Sequence, residues 1–258
     1  MDVSKTVVIT GSTKGFGKEL AKEFLNRGHN VVVCSKSASN VERLALELKH
    51  HDNCLALVTD VQDYSSCKEL HYQTIKRFDS VDILVNNAAT NTNQRQDFLC
   101  FDDEEIKMMV DTNLLGTMYC SKVFLPGMLK RKNGTIINVE GTGSKRFGET
   151  KGYSIYASTK SGVTRFTDTL RKEYKNESVH FCTLSPGMMH TDILWTKNAS
   201  EDMRRAFNMF GEYPEIVARY MVDEILGVNK NSDLEYLTWC KIIEKMIAHA
   251  LFNKENYM

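Results

Sequence analysis

The first apolar run of the chain, 5–10 (KTVVIT), passes directly into Thr10-Gly11-Ser12-Thr13-Lys14-Gly15-Phe16-Gly17 and then into a helical stretch. A strand, a glycine-rich turn and a helix in this order leave few folds open. Gly11 permits a tight turn, Gly15 lets the backbone approach a pyrophosphate, and Gly17 lets the helix pack closely on the strand. The helix N-terminus then offers free N–H groups and the positive end of its dipole to phosphates. Glycine spacing alone is a weak signal. Its place inside an N-terminal βαβ unit gives it force.

The same alternation continues along the chain. Strands are expected at 5–10, 30–35, 54–59, 82–86, 134–139 and 179–184. They are rich in β-branched residues and nearly all apolar, as parallel strands covered on both faces should be. Helical segments are expected near 17–27, 39–50, 63–78, 102–131 and 154–176, with two more at about 214–228 and 238–252. This order implies an α/β fold built on a doubly wound parallel sheet, a Rossmann-like, three-layer αβα arrangement. No repeat, low-complexity tract or linker interrupts the sequence, so 1–258 reads as a single domain. Residues 188–212 mix methionines and aromatics with charges. They are expected to form a lid over the carboxyl ends of the strands, where ligands bind in open α/β sheets.

Composition narrows the partners. Thirty-three basic residues balance 33 acidic ones, so no long-range field draws the chain to nucleic acid or anionic lipid. No basic stretch with a following apolar segment marks a leader, and no apolar run is long enough to span a bilayer. A cytoplasmic protein acting on a small molecule is expected. The seven cysteines are scattered, odd in number and never in a CxxC pair. They read as buried, reduced core thiols and not as disulfides or metal ligands. His50-His51-Asp52 reads as a turn at a helix end, and no metal site is expected.

The end of the second strand discriminates between dinucleotides. A carboxylate there would grip a ribose 2′-hydroxyl and select NAD. This chain has Cys34-Ser35-Lys36-Ser37 instead. Lys36 can neutralise a 2′-phosphate, Ser35 and Ser37 can hydrogen-bond to it, and Lys14 is placed to reach it. NADP, as NADPH, is therefore expected before NAD.

Tyr156 and Lys160 stand four residues apart, on one face of a helix. A free tyrosine has a pKa of about 10, too high for a base at neutral pH. A neighbouring ammonium is expected to lower it and let the phenol exchange a proton with a carbonyl or alcohol oxygen.

The loop from Thr10 to Gly17, Asn86-Asn87, Asn113, Tyr156-Ala157-Ser158-Thr159-Lys160 and Pro186-Gly187 with Thr191 together resemble the short-chain dehydrogenase/reductase family. The resemblance spans nearly the whole chain. It implies an NADP(H)-dependent oxidoreductase that moves a hydride between nicotinamide and a carbonyl or alcohol. It also implies that Lys160 holds the nicotinamide ribose and that Asn113 supports a proton-relaying water. Asn86 would brace the central strand, and Asp60 and Val61 would lie beside the adenine. Thr191 would reach the carboxamide, completing a cofactor wall with Asn87, Ala88, Ala89, Pro186, Gly187 and Met189. Homo-oligomers, dimers or tetramers, are implied through the helices near 102–131 and 154–176. Val163, Phe166 and Leu170 fit that face or packing on the sheet equally well.

Two departures stand out. The usual Asn-Asn-Ala-Gly is Asn86-Asn87-Ala88-Ala89 here. The catalytic serine of the family falls on Gly141 when counted from the fifth strand and on Gly143 when counted back from Tyr156. Thr142 and Ser144 carry the nearby hydroxyls, and Ser144 is the expected stand-in. The run 33–38, the loop 140–144, the run 184–192 and the run 213–218 are similar to the chlorophyll(ide) b reductase-like branch of the family. That branch reduces a formyl group on a large flat macrocycle, which implies a reductase of a fairly large apolar substrate. The Met- and aromatic-rich lid fits such a ligand and fits helix-packing core as well. The missing serine motivates an alternative, a non-catalytic dinucleotide-binding regulator with the same fold. An epimerase or dehydratase has little room for a separate sugar-nucleotide domain in the short C-terminal region.

Overall fold

The computed structural model describes residues 4–91, 96–144, 151–190 and 201–252. Seven strands lie in one parallel sheet: β1 (Thr6–Ile9), β2 (Asn30–Ser35), β3 (Cys54–Val58), β4 (Ile83–Asn86), β5 (Gly134–Val139), β6 (Val179–Ser185) and β7 (Asp233–Glu235). Their order is β3-β2-β1-β4-β5-β6-β7. The helices are α1 (Gly15–Asn26), α2 (Ala38–Glu47), α3 (Tyr64–Phe78), α4 (Asp103–Val110), α5 (Gly116–Arg131), α6 (Ser154–Glu173), α7 (Glu201–Phe210), α8 (Pro214–Leu226) and α9 (Trp239–Phe252).

The two-residue period of the strands divides their apolar side chains between two cores. Val7, Ile9, Val31, Val33, Ile83 and Val85 pack with Leu20 and Phe24 of α1 and with Val217 and Met221 of α8. Val8, Val32 and Leu84 pack on the opposite face with Leu70 of α3, Phe124 of α5 and Leu170 of α6. This is why the strands read as continuous apolar runs. β1 pairs with β2 on one side and β4 on the other, so the chain reverses its winding there. That reversal opens a crevice at the carboxyl ends of β1 and β4.

Several expectations need correction. The stretch 102–131 is not one regular helix. A π-turn, Asp111–Leu115, separates α4 from α5, and Pro126 lies inside α5. The seventh strand, β7, was not foreseen. It is three residues long, two of them acidic, and carries no apolar run. Four cysteines are buried and Cys54 is half-buried, but Cys100 and Cys240 are exposed; all seven are free. Cys67 and Cys120 share a thiol–thiol hydrogen bond at 3.7 Å between sulfurs and form no disulfide. Val163 and Leu170 are buried and Phe166 packs against the core, so these three serve the interior. His50 to Asp52 lie in the turn after α2. No described helix is long and apolar enough to cross a membrane.

Arg171, near the end of α6, anchors β7. Its Nε donates to Phe181 O at 2.9 Å, and its Nη2 donates to Ser232 O at 2.7 Å and to Asp233 Oδ1 at 2.8 Å. Thr183 Oγ1 donates to the same carboxylate at 2.7 Å. One guanidinium thus joins the helix, β6 and the edge strand. Charge-assisted bonds of this kind contribute about 1.5–3 kcal/mol. Arg171→Ala should lower the unfolding free energy by about 2 kcal/mol in urea titration, and Arg171→Lys should recover little of it, because an ammonium lacks the fork.

Candidate active site

A cavity of about 1010 Å³ opens at the carboxyl ends of the strands. Its floor is the glycine loop, held by β4. Asn87 Nδ2 donates to Thr10 O at 2.9 Å and to Gly11 O at 3.0 Å, and the backbone N–H groups of Asn87 and Ala88 donate to Thr10 Oγ1 at 3.0 Å. Gly11 and Gly15 adopt φ of +62° and +56°. A Cβ on Gly11 would lie 2.7 Å from Ala88 Cα. Gly17 differs from expectation. A Cβ there would meet Asn87 Nδ2 at 2.4 Å and Gly11 O at 2.9 Å, so its role is to admit the clamp and not to pack on the strand. The first turn of α1 has no capping side chain and no acidic residue. Its N–H groups, the bare glycines and the concave floor fit the pyrophosphate of a dinucleotide.

The side walls carry most of the expected residues. Gly11, Thr13, Lys14, Gly15, Phe16, Gly17, Ser35, Lys36, Ser37, Asp60, Val61, Asn87, Ala88, Ala89, Pro186, Gly187 and Met189 all line the cavity. Lys14 and Lys36 are exposed, and neither is paired with a carboxylate among the described residues. Ser37 caps α2, accepting from Asn40 N at 3.3 Å. Ser12 is an exception. Its hydroxyl donates to Ile9 O at 2.6 Å and accepts from Cys34 N at 2.9 Å, so the side chain is buried between β1 and β2 and away from the cavity. Thr191 lies outside the described residues.

Tyr156 and Lys160 meet in the cavity from the first two turns of α6, exposed by only 6% and 3%. Lys160 Nζ donates to Val139 O at 2.9 Å and stands 5.9 Å from the centre of the Tyr156 ring. Burial, with a smaller contribution from Tyr153, pushes the Tyr156 phenol up, opposite to the sequence expectation. Burial pulls Lys160 down to about 8, and Glu140 opposes that shift. The reason is that the ammonium is committed to a carbonyl at the strand end and does not bond to the phenol. Desolvation then outweighs the attraction between the two groups.

Asn113 is fully buried behind this pair, not in the cavity wall. It sits within the π-turn; its Nδ2 donates to Thr90 O at 2.9 Å and Thr159 Oγ1 at 3.1 Å, and its Oδ1 accepts from Thr90 N at 2.7 Å. It ties the loop after β4 to the helix that carries Lys160. Asn86 Nδ2 donates to Asn138 Oδ1 at 2.8 Å and Ser121 Oγ at 3.0 Å, and Asn138 Nδ2 donates to Thr167 Oγ1 at 2.8 Å. These buried bonds fasten β4 to β5, α5 and α6.

The loop after β5 explains the absent serine. Ser144 N donates to Gly141 O at 3.0 Å across a turn in which Gly143 has φ of +89°. A Cβ on Gly143 would strike Ala157 Cβ at 2.3 Å, so the turn rests directly on α6. Gly141 has no need of positive φ. A Cβ there would lie 2.5 Å from Tyr156 Oη and 3.1 Å from Cζ. The space a serine side chain would need is taken by the tyrosine. Ser144 Oγ accepts from Gly141 N at 2.9 Å and faces the cavity, leaving its proton for donation to a ligand.

Sequence reasoning gave no role to Glu140, Tyr153, Leu237, Trp239 and Ile242, all of which line the cavity. Phe207 belongs to the expected lid, but Leu237, Trp239 and Ile242 arrive only because β7 returns the chain to the sheet. Tyr153 is 2% exposed and sets its ring edge-on to Tyr156 at 5.9 Å.

A model of the short chain dehydrogenase family matches residues 5–202. The chain belongs to the short-chain dehydrogenase family. It is 34% identical over 257 residues to chlorophyll(ide) b reductase NOL, chloroplastic, of Arabidopsis thaliana, covering 95% of this chain and 73% of that protein. Among solved structures it matches 3-ketoacyl-(acyl-carrier-protein) reductase from Brucella melitensis, complexed with NADH, with a TM-score of 0.80 and 25% identity over 90% of this chain and 96% of that one. The closed form of serine dehydrogenase complexed with NADP+ matches with a TM-score of 0.78 and 26% identity over 89% and 93% of the two chains. The chain is thus an NAD(P)-dependent short-chain dehydrogenase/reductase acting on CH–OH or C=O groups.

In this short-chain dehydrogenase, Gly141→Ser places the usual hydroxyl where the Tyr156 phenol already stands. Turnover should fall at least tenfold while dinucleotide affinity changes less than twofold, on the order expected when a reacting group is displaced. Steady-state kinetics beside a fluorescence titration checks this.

Proposed function

We propose that this chain is an NADP(H)-dependent reductase of a fairly large apolar carbonyl compound. The observation that carries the reading is the pair Tyr156 and Lys160, buried in a cavity that is also lined by two exposed lysines, paired with no carboxylate among the described residues, and that has no carboxylate at the end of β2. Lys14 and Lys36, with Ser35 and Ser37, hold the 2′-phosphate. Asp60 and Val61 flank the adenine. Asn87, Ala88 and Ala89 line the way to the nicotinamide, and Pro186, Gly187, Met189 and Thr191 hold it. When bound, the cofactor supplies the hydride.

The remaining chemistry belongs to the protein. With its phenol pushed up, Tyr156 keeps its proton near neutral pH and gives it to the carbonyl oxygen as negative charge develops there. Ser144 donates a second hydrogen bond to that oxygen, an interaction of the oxyanion-hole kind. Lys160 presents its ammonium to the nicotinamide ribose, and Asn113 positions the helix that carries it. Phe207, Leu237, Trp239 and Ile242 give the substrate an apolar wall. The resemblance to NOL supports a reductase acting on a formyl group. The same reading has 1–258 acting as one unit, as a dimer or tetramer. A cytoplasmic location belongs to the proposal, while the relative's name is chloroplastic; fractionation of the source cells decides between the two.

Parallel fluorescence titrations should show tighter binding of NADPH than NADH, with Lys36→Ala removing about tenfold of the NADPH advantage, the equivalent of about 1.4 kcal/mol. Equal affinities would refute the NADP assignment. Tyr156→Phe should bind NADPH normally and lose carbonyl reduction by at least a hundredfold, on the scale of general acid catalysis. Retained turnover in that variant would sink the mechanism.

A further inference from the structure

Glu140 is the first residue after β5 and, among the described residues, the one buried acidic side chain, exposed by 5%. It lines the cavity beside Tyr156 and Lys160. Its backbone is fixed, since Glu140 N donates to Leu184 O at 2.8 Å. Its carboxylate is fixed as well, because Thr164 Oγ1 donates to Oε1 at 2.8 Å. Thr164 follows Lys160 by one helical turn, so the two project from the same face of α6. Lys160 Nζ in turn donates to Val139 O, the carbonyl immediately before Glu140. The strand end and the helix face therefore set the Glu140 carboxylate and the Lys160 ammonium on the same side of α6, both lining the cavity.

We propose that Glu140 is a positioning residue for Lys160, a carboxylate held by Thr164 that keeps the buried ammonium charged so that it can serve cofactor and phenol. The proposal rests on the reading of Tyr156 and Lys160 as the proton-handling pair. An ammonium stripped of water is costly unless an opposite charge compensates it. Of the groups around Lys160, Tyr156 presents its phenol, Val139 contributes a carbonyl, and the π-turn bonds Thr159 of the same helix through Asn113. Glu140 is the charged residue acting on Lys160 among the described residues, and it works against the burial that draws the lysine down to about 8. A neutral side chain at 140 would let Lys160 lose its proton at still lower pH.

The test compares wild type with Glu140→Gln, Glu140→Asp and Thr164→Val. The pH profile of carbonyl reduction and the pH dependence of NADPH affinity are measured for each from pH 6 to 10. In Glu140→Gln the alkaline limb of both profiles should move about one unit to lower pH, a roughly tenfold deficit at alkaline pH that vanishes at pH 6. Glu140→Asp should recover part of the shift, and Thr164→Val should show a smaller shift in the same direction. Superimposable profiles, or a loss equal at every pH, would overturn the proposal. If Glu140→Gln does not fold, the sign of the Thr164→Val shift decides. If wild type binds NADPH but reduces no carbonyl, the functional reading fails, while the affinity profiles still report whether Glu140 acts on Lys160.

Discussion

Asn87 fastens the glycine loop to the end of β4 through one side-chain amide shared between Thr10 O and Gly11 O, and the shape of the cavity depends on that clamp. It adds to the bonds that Thr10 Oγ1 accepts from the backbone of Asn87 and Ala88 and that Ser12 makes to β1 and β2. With it, the bare backbone of Gly11 lies against Ala88, and α1 points its uncapped N-terminus into the crevice. The cost of leaving helix N–H groups without side-chain partners is tolerated where a ligand will satisfy them. The adjacent Asn86 faces the other way and fastens the same strand to β5 and α5. Two consecutive asparagines therefore serve two neighbours, because successive side chains of a strand point to opposite faces.

The legible part of this protein was the part set by local pattern. Six strands and their covering helices follow from apolar runs and turns, and the glycine loop follows from its place between β1 and α1. The strand β7 was illegible because Asp233–Glu235 has too few residues and too little apolar surface to leave a trace. Its position depends on Arg171, which is distant in sequence. With β7 went the wall formed by Leu237, Trp239 and Ile242. The π-turn was hidden because one extra residue in a helical turn changes no propensity, yet it centres on Asn113.

Chemistry was less legible than placement. Lysine four residues after tyrosine implies proximity, and proximity was found. Whether the lysine lowers the phenol depends on where its proton points, which is a property of the end of β5. Ser12 shows the same limit. Its neighbours in sequence face the cavity, but its hydroxyl closes the gap between β1 and β2. Spacing could not separate Gly141 from Gly143 as the seat of the missing serine. The structure separates them by their different reasons for being glycine: an occupied space at 141, and a positive φ pressed against α6 at 143.

The occupied space at Gly141 also bears on how the site is assembled. A side chain at 141 and the Tyr156 hydroxyl exclude one another in this arrangement, so the loop 140–144 and the seating of Tyr156 form one unit. The turn cannot be widened at its other glycine either, because a Cβ on Gly143 would strike Ala157 of α6. Strand end and helix are thus fitted to a tolerance of one carbon atom, and the hydrogen atoms of two glycines set it.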